Sequence, residues 1–288
     1  MLLFHIYFIL FIIIWLKYTL FINNYDINIC EYVFVNKRRN VENKEERNLR
    51  NFYILKEYYF FKLCRKLFDL ILLAIYRYAF GIGIIVSFVA PSSWQMFGVY
   101  ITIMAIFHYT EFLSIAWINP STLSIDSFIL NHSIAYGVAA CSSWIEFVIE
   151  RHYYSAMKES SFISYFGLVL CICGEVLRKL AMFTAKHNFN HIVQSEKMDS
   201  HELITYGVYR ICRHPSYVGW FYWSIGTQLI LQNPVCFLAY TGVSWKFFHD
   251  RILIEEITLL NFFGQDYVEY QKKVSTGLPY ISGYKLNL

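Results

Sequence analysis

Long apolar runs decide what this chain can become. Leu67 to Ala90, Gln95 to Ile118, Ser127 to Ile149 and Ser161 to Thr184 carry few charges, and Met1 to Asn23 is almost continuously apolar. Each is long enough to cross a bilayer core of about 30 Å as a helix. Charged residues make up 16% of the 288, against about 25% in a soluble domain. The sequence therefore predicts an all-α polytopic membrane protein. The net charge of +4 is small and dispersed, which argues against nucleic acid as a partner.

Met1 to Asn23 lacks a basic leader and an A-x-A cleavage site, so it reads as a retained helix. Asn24 to Lys66 is the one long polar segment, rich in Lys and Arg. The positive-inside rule places it in the cytosol. In the next run, Gly81-Ile-Gly83 permits close helix packing, while Asp69 and Arg77 can snorkel or pair. Pro91-Ser-Ser marks a turn. His108 and Glu111 lie at i, i+3 on one face, either as a polar clamp between helices or as a substrate contact. Glu150 to Ser160 is a charged turn. Glu175 and Arg178 are spaced for an ion pair within one helix. Counting spans alternately, the run ending at Thr184 finishes in the cytosol.

Two shorter runs follow, Tyr217 to Gln232 and Val235 to Phe248, split by Asn233-Pro234. Each reaches only about 21–24 Å as a helix, which predicts a tight hairpin with both ends on the cytosolic side. Arg251 to Val274 reads as an interfacial amphipathic helix broken near Gly264. This makes about seven transmembrane or re-entrant helices with a cytosolic-face catalytic region. It also divides the chain three ways: 1–66, a membrane helix and basic linker; 67–184, a helix bundle; 185–288, a catalytic region. The seven cysteines are scattered and none forms a zinc-spaced cluster, so neither a disulfide framework nor a metal is expected.

Polar groups are dense from His201 to Pro234. His201, Glu202, Tyr206, Tyr209, Arg210, Arg213, His214, Ser216 and Tyr217 precede an apolar run directly. Such groups beside a membrane segment are costly to desolvate. Composition alone equally fits an interfacial belt of aromatic anchors and phosphate-binding arginines.

The order of residues discriminates. Leu203-Ile204-Thr205, Gly207, Tyr209, Arg213-His214-Pro215-Ser216-Tyr217, Gly219, Trp223, Gly226-Thr227-Gln228, Asn233-Pro234, then Phe247-Phe248-x-x-Arg251-x-x-x-Glu255-Glu256 and Gly277-Leu278-Pro279 follow one pattern. This pattern resembles the isoprenylcysteine carboxyl methyltransferases. The likeness reaches back to Leu177–Gln194 and covers roughly the last two thirds of the chain.

That resemblance implies methyl transfer from S-adenosylmethionine to the C-terminal α-carboxylate of an S-prenylated cysteine. The substrates would be CaaX-processed proteins such as small GTPases, met at the lipid surface of the endoplasmic reticulum. The chemistry is undemanding in acid–base terms. A peptide α-carboxyl, pKa about 3.3–3.7, is already ionised at neutral pH and needs no general base. Charge vanishes as sulfonium and carboxylate react, so a dry pocket favours reaction. What remains is placement of the reacting atoms about 3–3.5 Å apart.

By resemblance the cofactor shell comprises Gln194, His201, Glu202, Leu203, Ile204, Tyr209, His214, Pro215, Ser216, Tyr217 and Glu255. The backbone of the His201–Ile204 turn can hold the adenine edge, and His214 the methionine carboxylate. Arg251 can clamp the substrate carboxylate with two parallel hydrogen bonds, and Arg251 and Glu255 are the expected catalytic residues. The bland alternative for them is a surface ion pair worth about 0.3–0.5 kcal/mol. Trp220, Tyr222 and Trp223 suit either a lateral groove for the prenyl chain or the aromatic belt. A phospholipid-amine methyltransferase and a non-catalytic prenyl-protein receptor are the competing classes.

Overall fold

The computed structural model describes residues 70–123, 127, 134–191, 193–194, 196–197 and 201–285. The chain divides into two units, Met1–Phe68 and Asp69–Leu288, and the described residues all belong to the second. The expected first helix, the basic linker and Asp69 lie outside the described residues.

The described residues form seven α-helices and contain no strand. The helices are α1 (Leu70–Val89), α2 (Ser92–Ile118), α3 (Ile134–Tyr153), α4 (Phe162–Ala185), α5 (Pro215–Leu231), α6 (Pro234–Phe263) and α7 (Gln265–Lys273). Among the described residues, three stretches are long and apolar enough to cross a membrane: α1, α2 and Ser155–Asn188, which contains α4. Helix α1 breaks at Pro91, whose extended ψ of 148° then opens α2. Helix α4 begins at Ser161, whose Oγ accepts the Ser164 amide and satisfies a donor that a helix start leaves orphaned.

Two sequence expectations are corrected. Val235–Phe248 and the start of the amphipathic segment are one helix: α6 runs unbroken for 30 residues, about 45 Å. The polar His249-Asp250-Arg251 step changes what surrounds the helix, but it contains no residue that stops one. The stop comes at Gly264, where φ is +51°. The charged turn after α3 also starts late, because α3 continues to Tyr153.

The hairpin between α5 and α6 forms at Gln232-Asn233-Pro234. Gln232 adopts the left-handed conformation (φ 54°) and Pro234 occupies the first turn of α6. Buried polar groups bind this tip. Lys158 Nζ donates to Glu150 Oε2 (2.6 Å), to the carbonyls of Leu231 and Gln232 (both 2.9 Å) and to Asn233 Oδ1 (3.0 Å). The two carboxylate oxygens of Glu146 accept the Val235 and Cys236 amides at 2.7 Å each. A negative side chain at a helix N-terminus complements its dipole. The hairpin is therefore anchored at the end opposite the polar stretch that precedes α5.

Helices α4 and α5 pack most intimately, through two glycine pairs. A Cβ on Gly174 would stand 2.5 Å from Gly219 O, and one on Gly219 would stand 2.5 Å from Gly174 O. Gly167 and Gly226 approach in the same way, seven residues earlier on α4 and seven later on α5, so the helices run antiparallel. Such small-residue seams let backbones touch where lipid supplies no hydrophobic drive between helices. Of the expected packing pair in α1, only Gly83 meets a neighbour, against Gly98 and Thr102 of α2; Gly81 faces open space. Gly219→Ala is expected to destabilise the protein by about 1–3 kcal/mol by forcing α4 and α5 apart, read as a lower thermal midpoint in detergent.

One apolar core lies between α2, α3, α4 and α5. Phe107 stacks on Trp223 with centroids 3.9 Å apart. Trp223 is thus a core residue rather than part of a lateral groove. Within α2, His108 and Glu111 face different neighbours. His108 Nε2 is 3.0 Å from the Tyr136 hydroxyl, whereas Glu111 turns towards α4.

Candidate active site

At the C-terminal end of α4 the chain enters a short 3-10 turn, Lys186–Asn188, and crosses below the start of α5. His214 precedes Pro215, the first residue of α5, so His214 to Tyr217 sit at one helix mouth. Opposite them, α6 presents Phe247, Arg251 and Glu255. Between these elements lies a cavity of about 670 Å³, counting its open mouth. A second, of about 540 Å³, adjoins it and shares Asn188, Asn190, Tyr217 and Glu255.

Tyr217 stands at the centre. Its hydroxyl donates to Glu255 Oε2 at 2.5 Å and accepts from Arg251 Nε at 3.3 Å. Arg251 Nη2 donates to the His191 carbonyl. Arg251 and Glu255 therefore meet through a phenol and form no direct ion pair among the described residues, so the plain surface pair does not describe them. The His214 ring lies parallel to Tyr217, 6° between planes and 5.6 Å between centroids.

Arg178 forms the floor. The sequence pairs it with Glu175, but the structure pairs it with Glu111 of α2. Arg178 Nε donates to Oε1 (2.6 Å) and Nη2 to Oε2 (2.8 Å). A two-pronged match to one carboxylate outcompetes a single contact along the helix. Glu175 is taken by Lys179 (3.2 Å) and by Thr110 Oγ1 (2.7 Å). Arg178 Nη1 donates to Ser216 Oγ at 2.7 Å.

The adjacent glutamates of the Glu255-Glu256 pair divide their work. Glu255 faces the cavities. Glu256 is fully buried on the other side and accepts from Arg213 Nε (2.8 Å), His214 Nε2 (3.1 Å), Tyr267 Oη (3.1 Å), Gln271 Nε2 (3.1 Å) and the Tyr284 amide (2.8 Å). Burial by itself would raise its carboxyl pKa. The hydrogen bonds and charges of His214 and Arg213 outweigh burial and hold it below the usual carboxylate range. Arg213 also donates to the carbonyls of Val274 and Ser282. The Arg213-His214 step thus clasps the C-terminal segment behind the site. Burial, followed by the Glu255 charge, pushes the Tyr209 phenol up, so that phenol stays a neutral donor to the Ala181 carbonyl (3.4 Å).

The profile of the isoprenylcysteine carboxyl methyltransferase family matches residues 167–261. A protein-S-isoprenylcysteine O-methyltransferase of Tribolium castaneum is 57% identical over 205 residues, 71% of this chain and 73% of that protein. The chain belongs to this family. The Homo sapiens enzyme of the same name is 54% identical over 211 residues, covering 73% of this chain and 74% of its own. A solved structure of a eukaryotic intramembrane Ras methyltransferase, an isoprenylcysteine carboxyl methyltransferase, is 50% identical with a TM-score of 0.74, covering 85% of this chain and 89% of that one.

Membership in a methyltransferase family implies a methyl donor, and the two cavities divide the residues expected to hold it. Tyr209, His214, Pro215, Ser216, Tyr217 and Glu255 line the first, beside Arg251, the residue expected to clamp the substrate. Gln194, His201 and Glu202 line the second, again with Tyr217 and Glu255. Leu203 instead packs on Leu260, Tyr267 and Tyr270, and Ile204 lines neither cavity. The Glu202 amide is engaged by Asn188 Oδ1 at 2.9 Å. Trp220 lines the first cavity beside Phe247, while Tyr222 packs into the neighbouring core. The sequence reading missed Arg178, Asn188, Asn190 and His191 as wall residues. A signal existed, since all four fall within the matching Leu177–Gln194 segment. No group of three metal-ligating side chains occurs among the described residues.

Proposed function

We propose that this protein esterifies the C-terminal α-carboxylate of S-prenylated cysteine, taking the methyl group from S-adenosylmethionine. The observation that carries the reading is one cavity where two guanidiniums, Arg178 and Arg251, meet the aromatic wall of Trp220 and Phe247. Cationic forks suit a carboxylate, and the aromatic wall suits an isoprenoid. Phe247 is 44% exposed on the outer face of α6, so the wall continues towards lipid, where a prenyl chain already resides.

The second cavity, together with the Tyr209 and His214–Tyr217 edge of the first, fits the cofactor. Gln194, Asn188, Asn190 and Glu202 offer hydrogen-bonding groups to a nucleoside and an amino acid, and Phe262 and His201 offer ring faces (their centroids are 5.9 Å apart). When bound, S-adenosylmethionine supplies an electrophilic methyl group. Glu255, acceptor-only when ionised, suits an ammonium or ribose hydroxyls, and Tyr217 fixes its orientation. Arg251 orients the substrate carboxylate. Processed CaaX proteins such as small GTPases are the expected protein substrates. We place the enzyme in the endoplasmic reticulum membrane, with site and C-terminus facing the cytosol.

The test is methyl transfer by purified protein, using labelled S-adenosylmethionine and N-acetyl-S-farnesylcysteine, with the carboxamide as control. Base-labile label in the acid alone is the expected result. Cofactor binding without transfer to the acid would favour a lipid-amine methyltransferase. Absence of cofactor binding would favour a receptor.

A further inference from the structure

We propose that Glu111, a carboxylate within membrane helix α2, is a positioning residue for methyl transfer: it aims Arg178 into the reaction cavity and, through His191, steadies Arg251. This rests on the reading that the cavity receives a substrate carboxylate.

Glu111 is fully buried and Arg178 is 2% exposed. Glu111 occupies one edge of the guanidinium by two hydrogen bonds, to Nε and Nη2. The opposite end, Nη1, reaches Ser216 Oγ at 2.7 Å and Ser216 O at 3.4 Å, on the first turn of α5. Aromatic rings cover the group, with Trp220 5.0 Å and Phe107 5.7 Å from its central carbon. A fork fixed at both ends and stacked on rings has no rotamer to explore, so the orientation of Arg178 in the cavity wall is set by Glu111.

The same carboxylate reaches the second arginine. His191 Nε2 lies 3.7 Å from Glu111 Oε2, and the His191 carbonyl accepts from Arg251 Nη2. Lys179 Nζ also donates to Glu111 Oε1. One intramembrane anion thus lies beneath the cationic side of the cavity. Ionisable groups at membrane depth are costly, and a buried ion pair adds little net stability over well-packed apolar residues. Stability alone is a weak reason for this pair, whereas aiming a cavity-lining arginine is a specific one. Without the Glu111 charge, Nε and Nη2 would lose their carboxylate partner, and the Ser216 contact alone would leave the fork free to turn.

The experiment compares wild type with Glu111→Gln in full-length protein in detergent. Affinities for N-acetyl-S-farnesylcysteine and its carboxamide are measured on cofactor-free protein by competition. Labelled S-adenosylmethionine affinity, kcat, KM and thermal midpoint are measured alongside. In Glu111→Gln, cofactor and carboxamide affinities are expected to stay within about twofold while the preference for acid over amide disappears. kcat should fall about 100-fold, the scale of a misplacement of about 1 Å, and KM for the acid should rise by no more than the acid preference that is lost. A variant retaining acid preference and a kcat within about threefold of wild type overturns the proposal. So does a parallel loss of acid, amide and cofactor binding with the thermal midpoint, since that marks a framework residue. If Glu111→Gln does not fold, Arg178→Lys carries the test, because it keeps the charge and loses the fork: lost acid preference supports positioning, and retained preference overturns it. A wild-type protein that methylates no acid overturns the proposed function instead.

Discussion

Arg251→Lys is expected to lower kcat on a prenylcysteine acid by about 100-fold or more while leaving S-adenosylmethionine affinity and thermal midpoint close to wild type. The lysine keeps a positive charge on the same face of α6, so electrostatic attraction of the substrate survives. It cannot keep the geometry. Arg251 uses Nε on the Tyr217 hydroxyl and Nη2 on the His191 carbonyl at once, which anchors two sides of the guanidinium and leaves the rest of the fork for a ligand. An ammonium is a point donor on a flexible stem and cannot reproduce that division. Tyr217 would lose a donor but keep Glu255 at 2.5 Å, so the cofactor side of the site should hold. Steady-state kinetics together with cofactor binding checks this. Near-normal kcat would remove Arg251 from the carboxylate clamp, and a fall in cofactor affinity would reassign it to the other cavity.

The motif-bearing residues were legible because their chemistry is compressed into short stretches. Arg213 to Tyr217 run into the first turn of α5, and Arg251 to Glu256 span under two turns of α6, so neighbours along the chain are neighbours in the site. Helix existence was legible from apolar length. The extent of α6 was not, because the shift from apolar to polar at His249 resembles an element boundary, yet backbone propensity there is uninterrupted. Long-range polar choices were also hidden. Arg178 has a plausible partner three residues away and its actual partner 67 residues away, and nothing in local periodicity ranks the second above the first. The same holds for the glycine seam. Gly167, Gly174, Gly219 and Gly226 are ordinary until two helices are known to run antiparallel, when matching seven-residue spacings bring them into register.

Glu256→Ala is expected to be the most destabilising single change in the catalytic region, costing about 3–5 kcal/mol and taking activity with it. The loss is large because the carboxylate has several buried dependents. Arg213, 4% exposed at its side chain, would keep its charge without an anion. Tyr267, Gln271 and the Tyr284 amide would each lose an acceptor. The C-terminal segment would come free with them, since Gly283 (φ +76°) lies so close to Glu256 that a Cβ there would collide with its carboxylate. His214 would then lose the contact that fixes its ring beside Tyr217. A pH signature separates this from a simple cavity. The folded-state pKa of Glu256 is lowered, so its contribution is fully present above the ordinary glutamate value of about 4.3. As pH falls below that value the unfolded chain takes up the proton first, and the contribution is lost as pH descends through the folded-state pKa. Thermal midpoints followed from about pH 5 down to about pH 2 should fall more steeply in wild type than in Glu256→Gln, which is less stable at neutral pH but has no proton to gain at this position. Parallel profiles would mean that the charge of Glu256 contributes nothing, leaving the clasp to its hydrogen bonds alone.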